Sequence, residues 1–130
     1  KDMVNGIIHF NVVCSDLDRS LEFYRDMLGG RSVGDTRLAV AERGIDSTGP
    51  GIALGFEAAP EWRATFIQFG EEENATVIDL LQWIKPASYG KPYDRMNHVG
   101  IPRVALACDD IDKVYNDLKA KGACSPKRIK

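Results

Sequence analysis

The chain has 130 residues, with 17 basic and 19 acidic side chains and 44% hydrophobic residues, the profile of one ordinary globular domain. Its longest unbroken apolar run, Val104–Cys108, is five residues against the roughly 20 that span a bilayer, and no apolar stretch opens the chain as a signal peptide would, so no membrane anchor is expected. Charges of both signs are interspersed at a net charge of −2, which leaves no basic face for phosphates, so nucleic acid is not an expected partner.

The three cysteines are odd in number and form no Cys-x-x-Cys pair. Cys14 and Cys108 lie in apolar surroundings that read as strand interior, so reduced thiols and a cytoplasmic setting are expected.

In chain order, Ile7, His9, Asn11 and Val13 alternate with Ile8, Phe10, Val12 and Cys14, the period of two that predicts a strand with two distinct faces. The period then changes. Ser15 or Asp16 can cap a helix, Leu17, Leu21, Tyr24 and Leu28 form its apolar stripe, and Gly29 with Gly30 stops it. Arg31 to Asp35 reads as the start of a second strand. Ala39 to Ala59, rich in Gly and short apolar groups, reads as an irregular excursion with one helical turn, in which Gly49-Pro50-Gly51 is a turn. Trp62–Phe69 and Thr76–Ile84, joined by the acidic turn Gly70–Asn74, read as an antiparallel hairpin.

Part of this order returns. Cys14-Ser15-Asp16-Leu17-Asp18-Arg19 reappears 94 positions later as Cys108-Asp109-Asp110-Ile111-Asp112-Lys113, with Phe10–Val13 lying over Val104–Ala107. Two strand-to-helix junctions with similar capping needs could also converge on this pattern. By the repeat, Ile101–Cys108 is a strand, Asp109 or Asp110 a cap, Ile111, Tyr115 and Leu118 a helical stripe, and Gly122 its stop. The reading is a β-α-β-β-β module over about 5–85, a linker over about 86–96, and a second module over about 97–130. That second module has only its first strand and helix, so the chain reads as incomplete or as completed by a partner subunit.

The strand bearing His9, the junction Ser15-Asp16-Leu17-Asp18-Arg19-Ser20, the pairs Phe23-Tyr24 and Leu28-Gly29, and the strand Val77-Ile78-Asp79-Leu80 together resemble the vicinal oxygen chelate superfamily. This group includes glyoxalases, bleomycin-resistance proteins and extradiol dioxygenases. The resemblance implies an α+β fold of paired βαβββ modules whose sheets curl around a cavity, a small-molecule ligand or substrate, frequent dimerisation, here a homodimer, and in many members a divalent metal (Fe, Mn, Ni or Zn).

In metal-dependent relatives one ligand comes from the first strand and one from the fourth strand of each module. His9 stands at the first position. Asp79 stands at the second, where a glutamate is usual, with a reach shorter by about 1.5 Å. The repeat maps His9 onto Arg103, whose guanidinium has no lone pair for a cation.

Each candidate has an ordinary alternative. His9 can be a strand histidine paired with a nearby acceptor. Asp79, among Val77, Ile78, Leu80 and Leu81, must pair or ligate if it faces inward, and Arg103 is a possible ion-pair partner. His98 would complete a two-His-one-carboxylate set, but its odd separation from Arg103 puts the two on opposite faces of a regular strand. Arg103 can grip a carboxylate or phosphate of a substrate. Asn11 shares the His9 face, and Trp83 and Phe66 can stack on a flat ligand or be plain core. Two functions follow: a metal-dependent lyase, isomerase or dioxygenase on His9 and Asp79, or a metal-free, drug-sequestering type of binding protein with Arg103 in the cavity.

Overall fold

In the computed structural model residues 3–33, 38–39 and 50–123 are described. The chain divides into two compact units, Lys1–Tyr89 and Gly90–Lys130.

In the first unit, strand β1 spans His9–Val13. Phe10 and Val12 turn toward the apolar core, whereas His9, Asn11 and Val13 are exposed, as the alternation requires. The chain then enters helix α1, Leu17–Leu21, through the N-cap Asp16, whose Oδ1 accepts from the Arg19 amide at 3.1 Å. Gln82 adds a second restraint, its Oε1 accepting from the Leu17 amide at 2.9 Å.

The helix does not continue with the expected period. Residues Glu22–Met27 form a π-helical turn, and the Leu28 amide donates to the Phe23 carbonyl at 3.0 Å. Leu17 and Leu21 are buried and Tyr24 packs at the core margin, so the apolar stripe is used through Tyr24. Gly29, with φ of 79°, ends the helix. Gly30 then passes so close to the sheet that a Cβ there would lie 2.5 Å from Ile67 Cγ2 and 2.8 Å from the Tyr24 carbonyl oxygen. No side chain fits that gap without displacing its neighbours.

Short strands β2 (Arg31–Ser32) and β3 (Leu38–Ala39) both pair antiparallel with β4 (Glu61–Gln68). Residues 34 and 35 of the predicted second strand lie outside the described residues. Ala39, read as the start of an irregular stretch, is instead paired with Trp62. The single helical turn expected in that stretch is α2, Pro50–Ala53, which takes in two of the three residues read as a turn. The hairpin is present as expected, shifted by one residue. β4 and β5 (Val77–Lys85) pair antiparallel, and β5 then pairs in parallel with β1. The sheet order is β1-β5-β4-β2, with β3 also on β4.

One face of this sheet carries the core. Leu17 and Leu21 of α1 close over Ile67, Ile78 and Leu80, with Phe10, Val12, Cys14, Tyr24 and Phe69 around them. Burial holds the Cys14 thiol above its usual pKa. The module has the expected β-α-β-β-β order of an α+β fold, with β3 as a further short strand on β4.

The second unit contains helix α3, Ile111–Ala120, capped by Asp110. Asp110 Oδ1 accepts from the Lys113 amide at 3.0 Å. Its backbone (φ −139°, ψ 100°) matches that of Asp16 (φ −148°, ψ 107°), so the two repeated segments share one junction geometry. The predicted strand Ile101–Cys108 makes no ladder among the described residues, and Cys108 is exposed rather than in a strand interior. A strand exists only by pairing, and among the described residues of its own unit this segment is accompanied by a helix alone. Among the described residues no helix is long and apolar enough to cross a membrane.

Candidate functional site

The face of the sheet opposite α1 is where the candidate residues of the first unit collect. Parallel pairing sets Asn11 directly beside Asp79 and His9 beside Val77, so His9, Asn11 and Asp79 share one face of adjacent strands. On the other side of β5, the antiparallel register brings Phe66 beside Asp79 and Trp62 beside Trp83. Asp79 therefore stands between an amide and an aromatic ring.

Asn11 Nδ2 donates to Asp79 Oδ2 at 2.9 Å. The His9 ring, from β1, meets the Phe66 ring, from β4, at a centroid separation of 5.6 Å. Since β5 runs between those strands, which puts β1 and β4 about 10 Å apart, both rings lean over β5 to touch. Burial raises the Asp79 pKa, and His9 and the Asn11 hydrogen bond oppose that shift. Desolvation wins, which fits a carboxylate beside an arch of two rings.

Further along β5 the same face becomes fully aromatic. Trp83 lies 5.7 Å from Trp62 and 4.6 Å from Phe56, centroid to centroid, all three partly buried. Leu81, buried at 7% exposure, separates this cluster from Asp79. The face thus presents a polar centre at one end, where Phe66 beside Asp79 is still 37% exposed, and a flat aromatic surface at the other.

His98 and Arg103 belong to the second unit and are both exposed. His98 stacks on Tyr93 at 4.0 Å with the rings 14° from parallel, and its Nδ1 lies 2.7 Å from the Val99 carbonyl oxygen. The described hydrogen bond of Asp79 is to Asn11 rather than to an arginine. Sequence reasoning placed Asn11 on the right face but missed that it is the partner of Asp79. The His9–Phe66 contact was also missed, because no local pattern reveals which strands flank β5.

The donors present suit a divalent metal in kind, an imidazole nitrogen and a carboxylate oxygen on one face, but not in number. Among the described residues no group of three or more His, Cys, Asp or Glu side chains converges. His9 and Asp79 can be at most half of such a set.

A βαβββ unit with its first and last strands side by side, and polar side chains on the face away from the helix, defines a curled-sheet module that offers a ligand a surface. The chain belongs to the glyoxalase/bleomycin resistance protein/dioxygenase superfamily, whose model matches residues 6–128. Two solved structures share the fold. A glyoxalase family protein from Bacillus cereus is 18% identical, with a TM-score of 0.68 over 94% of this chain and 77% of that one. The trypanothione-dependent glyoxalase I of Leishmania major is 19% identical, with a TM-score of 0.57 over 92% of this chain and 68% of that one. No curated protein matches the chain.

Proposed function

We propose that the protein is a small-molecule enzyme of the lyase, isomerase or dioxygenase type whose substrate lies on the face bearing Asp79. His9 and Asp79 form this module's half of a divalent-metal site for Fe, Mn, Ni or Zn. The observation that supports this reading is the parallel register of β1 and β5, which sets an imidazole and a carboxylate on one face of neighbouring strands. A divalent ion, when bound there, supplies Lewis-acid polarisation of substrate oxygens. The chain's own part is to hold Asp79 through Asn11, to shield it with Phe66, and to offer Trp62, Trp83 and Phe56 as an apolar wall. In the second unit, Arg103 can grip a carboxylate or phosphate of a substrate, and His98 can offer an imidazole nitrogen to a metal. A cytoplasmic homodimer is the expected setting.

The test is the metal content of protein purified without chelators, measured by plasma mass spectrometry beside His9→Ala and Asp79→Asn variants. Near-stoichiometric metal that is lost in both variants supports the proposal. Metal-free protein that gains no thermal stability from added ions overturns it.

A second reading, a metal-free binding protein, is favoured by one observation: the Asp79 carboxylate is already held by an amide and stands beside aromatic rings, as a site for an uncharged or cationic aromatic ligand would be. Tight binding of such a ligand to metal-free protein would select it.

A further inference from the structure

We propose that Asn11 is a positioning residue for this face: by holding Oδ2 of Asp79 it fixes the carboxylate and leaves Oδ1 as the one oxygen offered to a ligand. The inference rests on the reading of this face as the ligand site, and three observations carry it further.

The first is register. Asn11 and Asp79 are direct neighbours on parallel strands, so the 2.9 Å bond needs no bend in either backbone. The second is direction. Asp79 has Phe66 as its neighbour on the opposite strand, and the His9–Phe66 contact reaches across β5, so the residue has the amide on one flank and a ring on the other. The third is economy: this amide bond is the one hydrogen bond to Asp79 among the described residues, so losing it would free the carboxylate to rotate. An aspartate reaches less far than a glutamate, and a short side chain gains most from being fixed in the rotamer that presents an oxygen. Residues that orient a ligating group in this way are typically worth about 10- to 100-fold in affinity for the bound ion.

Asn11→Ala and Asp79→Ala variants of the full chain decide the matter by two readouts. Calorimetric titration with Zn²⁺ and with Mn²⁺ is expected to show about 10- to 100-fold weaker binding in Asn11→Ala than in the wild type. In the protein without added ions, one Asn11 side-chain amide proton is expected to resonate downfield and to lose that shift in Asp79→Ala. Equal ion affinity in Asn11→Ala, or an Asn11 amide resonance that ignores Asp79→Ala, overturns the inference. A wild type that binds neither ion sinks the metal reading of the function instead, and the amide resonance then still shows whether Asn11 holds Asp79. An Asn11→Ser variant, which keeps a donor on a shorter side chain, should recover part of the affinity, whereas a purely structural role for Asn11 would show as a lowered melting temperature and no ion-specific loss.

Discussion

Arg63 of β4 and Asp18 of α1 are joined across the helix-bearing face of the sheet, Nη2 to Oδ1 at 2.9 Å, while Asp79 occupies the other face and, among the described residues, bonds to the Asn11 amide and to no cation. The two carboxylates are consequently pushed in opposite directions. The Arg63 hydrogen bond and charge hold Asp18 below the usual carboxylate range, whereas burial holds Asp79 above it.

Opposite shifts give opposite linkage to folding. For Asp18, whose folded pKa is depressed, stability is present above the unfolded value of about 3.9 and is lost as pH falls through the folded value. For Asp79, whose folded pKa is raised, the charged form is penalised in the fold. Its contribution is most favourable below the unfolded value and is lost as pH rises through the folded one. Asp18→Asn should therefore melt lower than the wild type at pH 7, with the gap closing in acid. Asp79→Asn should melt at or above the wild type at pH 7, with its advantage fading as pH falls toward 4. Thermal melts of the three proteins from pH 2 to pH 7 check both signs, and parallel curves for the two variants would refute the assignment. The Asp18 effect is small because that carboxylate is solvent-exposed.

Gly29 and Gly30 are adjacent but are glycines for different reasons, and substitution should separate them. At Gly29 the constraint is backbone conformation, φ of 79° with open space around the Cα, so Gly29→Ala should cost about 1 kcal/mol. At Gly30 the constraint is contact with Ile67 and the Tyr24 carbonyl, so Gly30→Ala forces either the π turn or the sheet to shift and should cost about 1–3 kcal/mol. Urea denaturation measures both. Equal costs would show that the approach of α1 to β4 relaxes freely.

Much of the first module was legible because its signals are local. The alternation through His9–Val13, a cap at Ser15 or Asp16 and the β4–β5 hairpin each depend on nearby residues; the alternation stands, the cap is Asp16, and the hairpin stands shifted by one residue. What could not be read depends on pairing across long separations. Asn11 meets Asp79 across 68 positions, so its role emerges only once β1 is known to lie beside β5 rather than beside its sequence neighbours. The same holds for β3, whose two residues carry no strand signal and are defined by β4. Ile101–Cys108 shows the converse: a strand-like pattern with no paired edge among the described residues of its own unit forms no ladder there. The candidates Arg103 and His98 fall in that second unit.

The matched caps at Asp16 and Asp110 give a prediction for the repeat. Each accepts the amide three residues on, at 3.1 and 3.0 Å, from the same extended backbone. Replacement of either by Ala should cost about 1 kcal/mol of helix stability. The consequences should differ in reach. α1 is anchored to β5 by Leu17 and Leu21, so Asp16→Ala should lower the midpoint of global unfolding. Within its own unit α3 buries no residue, so Asp110→Ala should raise hydrogen exchange over residues 111–120 with little change in that midpoint. A global shift of equal size in both variants would show that α3 is as deeply built into the cooperative unit as α1.

Trp62 and Trp83 are the two tryptophans of the chain and stand beside each other at 5.7 Å on the face that carries Asp79. Intrinsic fluorescence therefore reports on this surface without a label. Trp83 lies four positions beyond Asp79 on β5, a span of about 13 Å, which only a ligand with a flat group at one end and a polar group at the other can bridge. Such a ligand should quench tryptophan emission in proportion to its occupancy. Trp83→Ala should weaken its binding by about 0.5–1.5 kcal/mol, the usual worth of an aromatic contact beyond its buried area, and Trp83→Phe should keep most of it. Asp79→Asn should weaken the same ligand while leaving the depth of quenching at saturation unchanged, because the polar and aromatic ends are separated by the buried Leu81. A small molecule that raises the melting temperature yet leaves the emission untouched binds elsewhere, and it would move the ligand site off this face.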